Sequence, residues 1–473
     1  MTEHLSSEAN ALFAALRPSA DPETVAAIER FVADAPDREL SRINVIDFAT
    51  KHRLDEERVI AAFLHAARLG IFELSWNVLC RSCGGVLERG TTLKQINREE
   101  YTCVWCAAGY EAVLDEVVEV SFTVTRRVRK IAAHDPDELP VWEYYRQIFW
   151  SSGMDLPEDL ERLGNELTLD AVELGPGEKA LMSTQLPAQF VIVFEPVTHA
   201  AQFIKVDGEP TRERQNLSMI FDKIRVPVGR CDMSPGPLRL ALENHAERRV
   251  LPTMWIADDR LEELLARRKA FLTAKRLLTN QTFRDLYGTD TIEPDQRLKI
   301  TSLTFVFTDL QGSTELYQRV GDLVAFDLVR AHFRVLNEIV AAEGGAVVKT
   351  IGDAVMATFP TPDRAMAAAL RIREAMRKLN AERGGEDLLL KIGIHEGPCL
   401  AVVLNNRQDY FGQTVNIAAR VQGLADSRSI YATGPVVGHP QTANLLATSG
   451  FNPVAHLRHL RGIPETVPVY EIP

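Results

Sequence analysis

Asp309 closes the run Phe305-Val306-Phe307-Thr308, and Asp353 sits behind Gly352 where a second apolar run turns back on itself. Runs rich in β-branched and aromatic residues that end or turn on a carboxylate place each acid at a strand end or hairpin tip. Two carboxylates so placed can bridge a pair of divalent cations, which phosphoryl chemistry on a nucleotide requires.

The segment around them reads, from about residue 297, as strand, helices, hairpin, helix, strand, hairpin and helix. Gln311-Gly312-Ser313-Thr314 forms a turn opening a helix through Tyr317, Phe326, Val329, Phe333, Leu336 and Ile339. The exposed amides of Gly312, Ser313 and Thr314 can hold phosphate oxygens. Gly344-Gly345 ends that helix, and residues 346–359 fold into a hairpin around Ile351-Gly352-Asp353. Further on, Asn416 and Arg420 lie four residues apart, on one helix face.

These motifs, dense from about Leu303 to Gly423, resemble the class III nucleotidyl cyclases, which make cyclic AMP or cyclic GMP. The resemblance implies an α+β, ferredoxin-like catalytic domain over 297–473, with Asp309, Asp353 and the Leu310 carbonyl binding two Mg2+ or Mn2+. It further implies that Lys349 and Asp409 read the purine. A lysine donor suits adenine N1 and a carboxylate suits the N6 amine, whereas guanine presents the opposite pattern, so the pair predicts ATP. Asn416 would orient the ribose, Arg420 would meet charge developing on the α-phosphate, and Arg461 would contact the terminal phosphates. In this family the metal and base-reading groups meet across a subunit interface, so a chain carrying both sets is expected to act as a homodimer. The stretch 398–410 is shorter than in many relatives and lacks a glycine after Ala401, so a dimer contact there would differ in detail. His395 reads as structural, and no general base is assigned.

The rest of the chain is expected to be multidomain. A helical segment (1–40) precedes a winged-helix-like module (41–75), whose second helix opens with Asp55-Glu56-Glu57. Those acids would meet phosphates, which disfavours DNA reading. Cys80, Cys83, Cys103 and Cys106 form C-x2-C, nineteen residues, C-x2-C, the spacing of a zinc ribbon (76–112) closed by four thiolates around one structural Zn2+. Period-two alternation beyond Tyr110 predicts a β-sandwich regulatory domain over 113–256, with the basic run Arg126-Arg127-Val128-Arg129-Lys130 at a solvated strand end. Residues 257–296 read as a helical linker or transducer closed at Gly288.

The chain has 473 residues and a net charge of −12, which disfavours nucleic acid and anionic membrane as partners. No apolar stretch approaches a membrane span, and Met1-Thr2-Glu3-His4-Leu5 lacks a basic, apolar leader, so the cytoplasm is the expected address. The reading is an adenylate cyclase controlled by an unknown regulatory ligand or protein. The alternatives are a guanylate cyclase, or a DNA-binding or signalling scaffold using the front half.

Overall fold

The computed structural model describes residues 6–98, 100–222, 229–288, 292, 293, 295–383, 388–404 and 407–473. Residues 1–5, which carried the leader argument, and residues 405 and 406 within the 398–410 stretch lie outside the described residues. Two compact units form: one from 1–91, 98–112 and 117–272, the other from 92–97, 113–116 and 273–473. The multidomain expectation holds at this level.

In the first unit, helices α1 (Ser7–Leu16) and α2 (Pro22–Asp34) precede α3 (Val45–His52) and α4 (Glu56–Arg68). Asn44 and Asp55 cap α3 and α4 by accepting backbone N–H groups, as their short polar side chains favour. Strand β1 (Phe72–Leu79) follows, then the cysteine-bearing excursion with β2 (Val86–Gly90), β3 (Tyr101–Cys103) and β4 (Ala108–Tyr110), then β5 (Val118–Val124). β5 pairs with β1 from Phe72↔Val124 to Val78↔Val118. This corrects the expected boundary at 113: β5 belongs to a three-stranded sheet, β2-β1-β5, and not to the sandwich. Alternation marks a strand but does not name its partner. The basic run leaves β5 as a turn in which Arg126, Arg127, Arg129 and Lys130 pair with Asp135, Glu8, Asp37 and Asp135.

After α5 (Val141–Tyr144) and α6 (Leu160–Leu167) come β6 (Thr168–Ala171), β7 (Lys179–Leu186), β8 (Val191–Glu195) and β9 (Ala200–Val206). β10 (Gln215–Phe221), β11 (Gly229–Met233), β12 (Gly236–Asn244) and β13 (Thr253–Ile256) complete two sheets, β10-β12-β7 and β11-β9-β8-β13-β6. Met182, Phe221 and Leu240 from the first sheet share one core with Val193, Ile204 and Met254 from the second. The expected linker helix is broken into α7 (Asp259–Ala266), α8 (Ala274–Leu278) and α9 (Gln281–Tyr287), each opened by its own cap at Asp258, Thr273 and Asn280.

The second unit is built on a sheet ordered β15-β16-β14-β17-β19-β21-β20, with β18 paired to β17. Its elements are β14 (Leu298–Leu310), α10 (Ser313–Val320), α11 (Asp322–Ala342), β15 (Ala346–Ile351), β16 (Ala354–Phe359) and α12 (Pro362–Arg383). Then follow β17 (Leu390–Leu404), β18 (Arg407–Phe411), α13 (Gln413–Leu424), β19 (Ile430–Thr433), α14 (Gly434–Val437), α15 (Pro440–Thr448), β20 (Val454–His459) and β21 (Thr466–Ile472). Val306, Leu310, Val355, Ala357, Ile392 and Ile394 point to one face and share a core with α11 and α12. Alternation therefore turns Phe305, Phe307 and Asp309 to the other face. β14 carries a bulge between Ile300 and Leu303. Asp115 accepts the Thr301 and Ser302 N–H groups there at 3.1 and 3.2 Å, satisfying donors the bulge leaves off the ladder.

Candidate active site

Asp309, the penultimate residue of β14, is in register with Lys391 of β17. Burial, reinforced by the charge of Asp353, raises its pKa, while Lys391 and a hydrogen bond with Gln422 oppose the rise. Asp353 occupies the β15–β16 turn behind Gly352, whose φ of 66° is the left-handed conformation that glycine adopts freely. Its Oδ2 is buried without a hydrogen-bond partner among the described residues. Two carboxylates close enough to repel, one with an orphaned oxygen, make a donor set suited to divalent cations. The Leu310 side chain is packed in the core beside them. α10 follows at Ser313 after Gly312, and no side chain caps its first amides, although Glu315 occupies its first turn. The amides of Ser313 and Thr314 thus stand at an uncapped helix start next to the paired acids.

Lys349 and Asp409 come together from β15 and β18, with Nζ 2.5 Å from Oδ2. They line a cavity of about 370 Å³ with Val348, Leu404, Arg407 and Gln408. The two form an ion pair at the edge of that cavity.

Asn416 and Arg420 stand on α13, which lies on β17 by way of Thr414, Ala418 and Val421. At 3.6 residues per turn, Asn416 and Arg420 lie roughly opposite that buried stripe. They point away from their own sheet and make no hydrogen bond or ion pair with Asp309 or Asp353 among the described residues. The close approach of α13 depends on Gly393, where a Cβ would fall 2.1 Å from the Gln422 nitrogen. Gly393→Ala is therefore expected to lower stability by about 2–3 kcal/mol and to cut activity by shifting α13, as read by thermal unfolding and initial rates. An unchanged midpoint would count against this packing account. The Arg461-Gly462 turn after β20 abuts Arg420, whose Nη2 is 3.6 Å from the Gly462 Cβ position.

His395 is buried, with Nδ1 2.7 Å from Thr433 Oγ1, and burial pushes its pKa down to about 4. Sequence reading missed Lys391 and Gln422, which flank Asp309. It also missed His332 of α11, fully buried with neither ring nitrogen partnered among the described residues. Burial lowers the His332 pKa to about 4 against the pull of the Asp353 charge. Only strand register and helix packing bring these residues to the acids, so no local motif marks them.

In the first unit, Cys80 and Cys106 sulfurs lie 3.6 Å apart and Cys83 and Cys103 sulfurs 3.7 Å, with all four sulfurs within 4.8 Å of one another. Zinc–sulfur bonds of about 2.3 Å in a tetrahedron give sulfur separations of about 3.8 Å, so the cluster fits a zinc ion. Arg268 donates to the Ser82 carbonyl at 2.7 Å; burial lowers its pKa, and the neighbouring Cys83, Cys80 and Cys106 oppose that fall.

A family described as of unknown function (DUF5939) matches residues 6–285, and the adenylate and guanylate cyclase catalytic domain matches residues 296–453. The chain is 32% identical over 165 residues to adenylate cyclase 2 of Rhizobium meliloti, covering 32% of this chain and 44% of that protein. It is 29% identical over 210 residues to a receptor-type adenylate cyclase of Trypanosoma congolense, covering 36% of this chain and 27% of the relative. It thus spans less than half the length of these relatives. Among solved structures, the adenylyl cyclase CyaB of P. aeruginosa is similar over 38% of this chain and 96% of its own, at 21% identity and a TM-score of 0.33. The guanylyl cyclase Cya2 is similar over 38% and 94%, at 18% identity and a TM-score of 0.33. Among the described residues no helix is long and apolar enough to cross a membrane.

Proposed function

Since the chain belongs to the DUF5939 family and carries an adenylate and guanylate cyclase catalytic domain, we propose that it converts ATP to 3′,5′-cyclic AMP and pyrophosphate at a homodimer interface. The observation that carries the choice of ATP is the Lys349–Asp409 pair beside its cavity, a donor and an acceptor matched to adenine N1 and N6. When a purine enters, each group exchanges its partner in the pair for the base edge, and a guanine would leave both mismatched.

In this reading the ribose 3′-hydroxyl gives its proton to solvent, its oxygen attacks the α-phosphorus, the bond from that phosphorus to the bridging oxygen of the β-phosphate breaks, and pyrophosphate leaves. Asp309, Asp353 and the Leu310 carbonyl would hold two Mg2+ or Mn2+, which when bound would lower the pKa of the attacking hydroxyl and offset the charge of the leaving pyrophosphate. Gly312, Ser313 and Thr314 offer backbone amides to phosphate oxygens. Asn416 orients the ribose, Arg420 meets charge developing on the α-phosphate, and Arg461 lies where it can reach the terminal phosphates. The outward direction of Asn416 and Arg420 supports their serving a second chain's carboxylates. Phe411 at 65% and Ile351 at 54% exposure are large apolar groups beside the base pair and the metal turn, suited to cover by that chain.

We further propose that the four cysteines hold one structural Zn2+, that residues 6–285 regulate the catalytic domain, and that the protein works in the cytoplasm, where thiolates stay reduced. Purified chain supplied separately with Mn-ATP and Mn-GTP is expected to favour ATP by about tenfold or more in kcat/KM. A clear preference for GTP would reverse the base assignment.

A further inference from the structure

Among the described residues, Lys349 and Asp409 sit on strands that share no ladder: β15 is one edge of the sheet, and β18 pairs only with β17. What joins them, besides their own ion pair, is Arg284 on α9. Its Nη2 donates to the Val348 carbonyl at 3.3 Å and to the Gln408 carbonyl at 3.0 Å, and these residues immediately precede Lys349 and Asp409. Val348 is the extra residue at a register shift between Val347 and Lys349, where the ladder to β16 is interrupted. α9 supplies what the ladder lacks there: Gln281 Oε1 accepts the Val347 N–H at 2.8 Å, and Arg284 takes the next carbonyl. The end of α8 holds the other strand, with the Leu278 carbonyl accepting from Tyr410 Oη at 3.3 Å.

No carboxylate lies within ion-pair distance of Arg284 among the described residues, and its Nη1 is buried without a partner. A half-buried guanidinium that spends its donors on two backbone carbonyls gives up hydration that an ion pair would offset. The arrangement therefore serves geometry. We infer that Arg284 is a positioning residue that fixes the spacing of Lys349 and Asp409 and so sets the choice between ATP and GTP. The inference rests on the base-reading role proposed above. When a purine breaks the direct Lys349–Asp409 pair, Arg284 is the bond that still ties β15 to β18. Base discrimination demands placement to within about half an ångström, which a loose edge strand does not provide.

The test uses the full chain, the KM and kcat for Mg-ATP, and the Ki of GTP as competitor, with selectivity taken as Ki(GTP)/KM(ATP). Arg284→Met keeps the apolar stem and removes both bonds. It is expected to raise KM for ATP and lower selectivity, each by about tenfold, with a smaller loss in kcat. Arg284→Lys, whose ammonium can donate to both carbonyls, is expected to restore most of the selectivity. Lys349→Ala is measured alongside. If Lys349→Ala collapses selectivity while Arg284→Met lowers kcat alone and leaves the ratio unchanged, Arg284 is only a structural prop and the inference is overturned. If Lys349→Ala leaves the ratio unchanged, the base-reading premise fails and the inference falls with it. Should Arg284→Met not fold, Arg284→Leu likewise offers no donor, and an unaltered ratio in that variant overturns the inference equally.

Discussion

Asp309→Ala and Asp353→Ala chains are each expected to form cyclic nucleotide at least about a thousandfold more slowly than the unaltered chain. Losing a ligand to the catalytic cations removes roughly 4 kcal/mol of transition-state stabilisation. The folded protein should tolerate either change. Burial and the neighbouring charge raise the Asp309 carboxyl above its ordinary range. A carboxyl whose folded pKa is raised lets stability fall as pH climbs from its ordinary value near 4 through the folded value. At pH 7 and without metal, Asp309→Ala is therefore expected to unfold at the same or a higher temperature, separating loss of chemistry from loss of fold. The dimer gives a sharper test. Arg420→Ala alone should also be inactive, yet its equimolar mixture with Asp309→Ala should recover about a quarter of the activity. About half the dimers are mixed, and each mixed dimer has one of two sites intact. A mixture that stays inactive although mixed dimers are isolated would sink the shared-site account.

If the four cysteines hold zinc as proposed, removing it or one of its ligands is expected to have the largest effect on stability. Cys83 is fully buried, with its sulfur 3.7 Å from that of Cys103. Cys83→Ser should reduce bound zinc from one per chain to a trace, measured by elemental analysis, and destabilise the first unit by several kcal/mol, because structural zinc binding is folding free energy. The loss should spread beyond the knuckles. Trp105, between Cys103 and Cys106, stacks on Phe194 at 4.7 Å and lies 5.2 Å from Trp255, both on strands of the sandwich. Metal removal is therefore expected to alter tryptophan fluorescence as that cluster opens. A folded, zinc-free chain with unaltered fluorescence would count against the site.

Much of the catalytic half was legible because its chemistry is local. The motifs around Asp309, Asp353 and Asn416–Arg420 each span a few residues, and strand ends, a glycine turn and helical spacing place them without long-range information. The cysteine spacing was legible for the same reason: each pair forms its own knuckle. Pairing was not legible. The run at 118–124 looked like a sandwich strand and instead joins β1, because alternation repeats on every half-buried strand and carries no address. The linker pattern at 257–296 looked continuous because caps such as Thr273 and Asn280 are ordinary residues until a backbone N–H meets them.

The sequence by itself determined which side chains are candidates to hold cations, read a purine and gather a metal, since residue type and short spacing mark that chemistry. Only the tertiary structure decided that Gln422 and Lys391 flank Asp309, that Asn416 and Arg420 face away from their own carboxylates, and that Arg284 bridges β15 and β18. Those relations join residues tens to more than a hundred positions apart. Register, bulges and the seat of α13 on Gly393 create them, and these follow from how surfaces pack rather than from any segment's own preference.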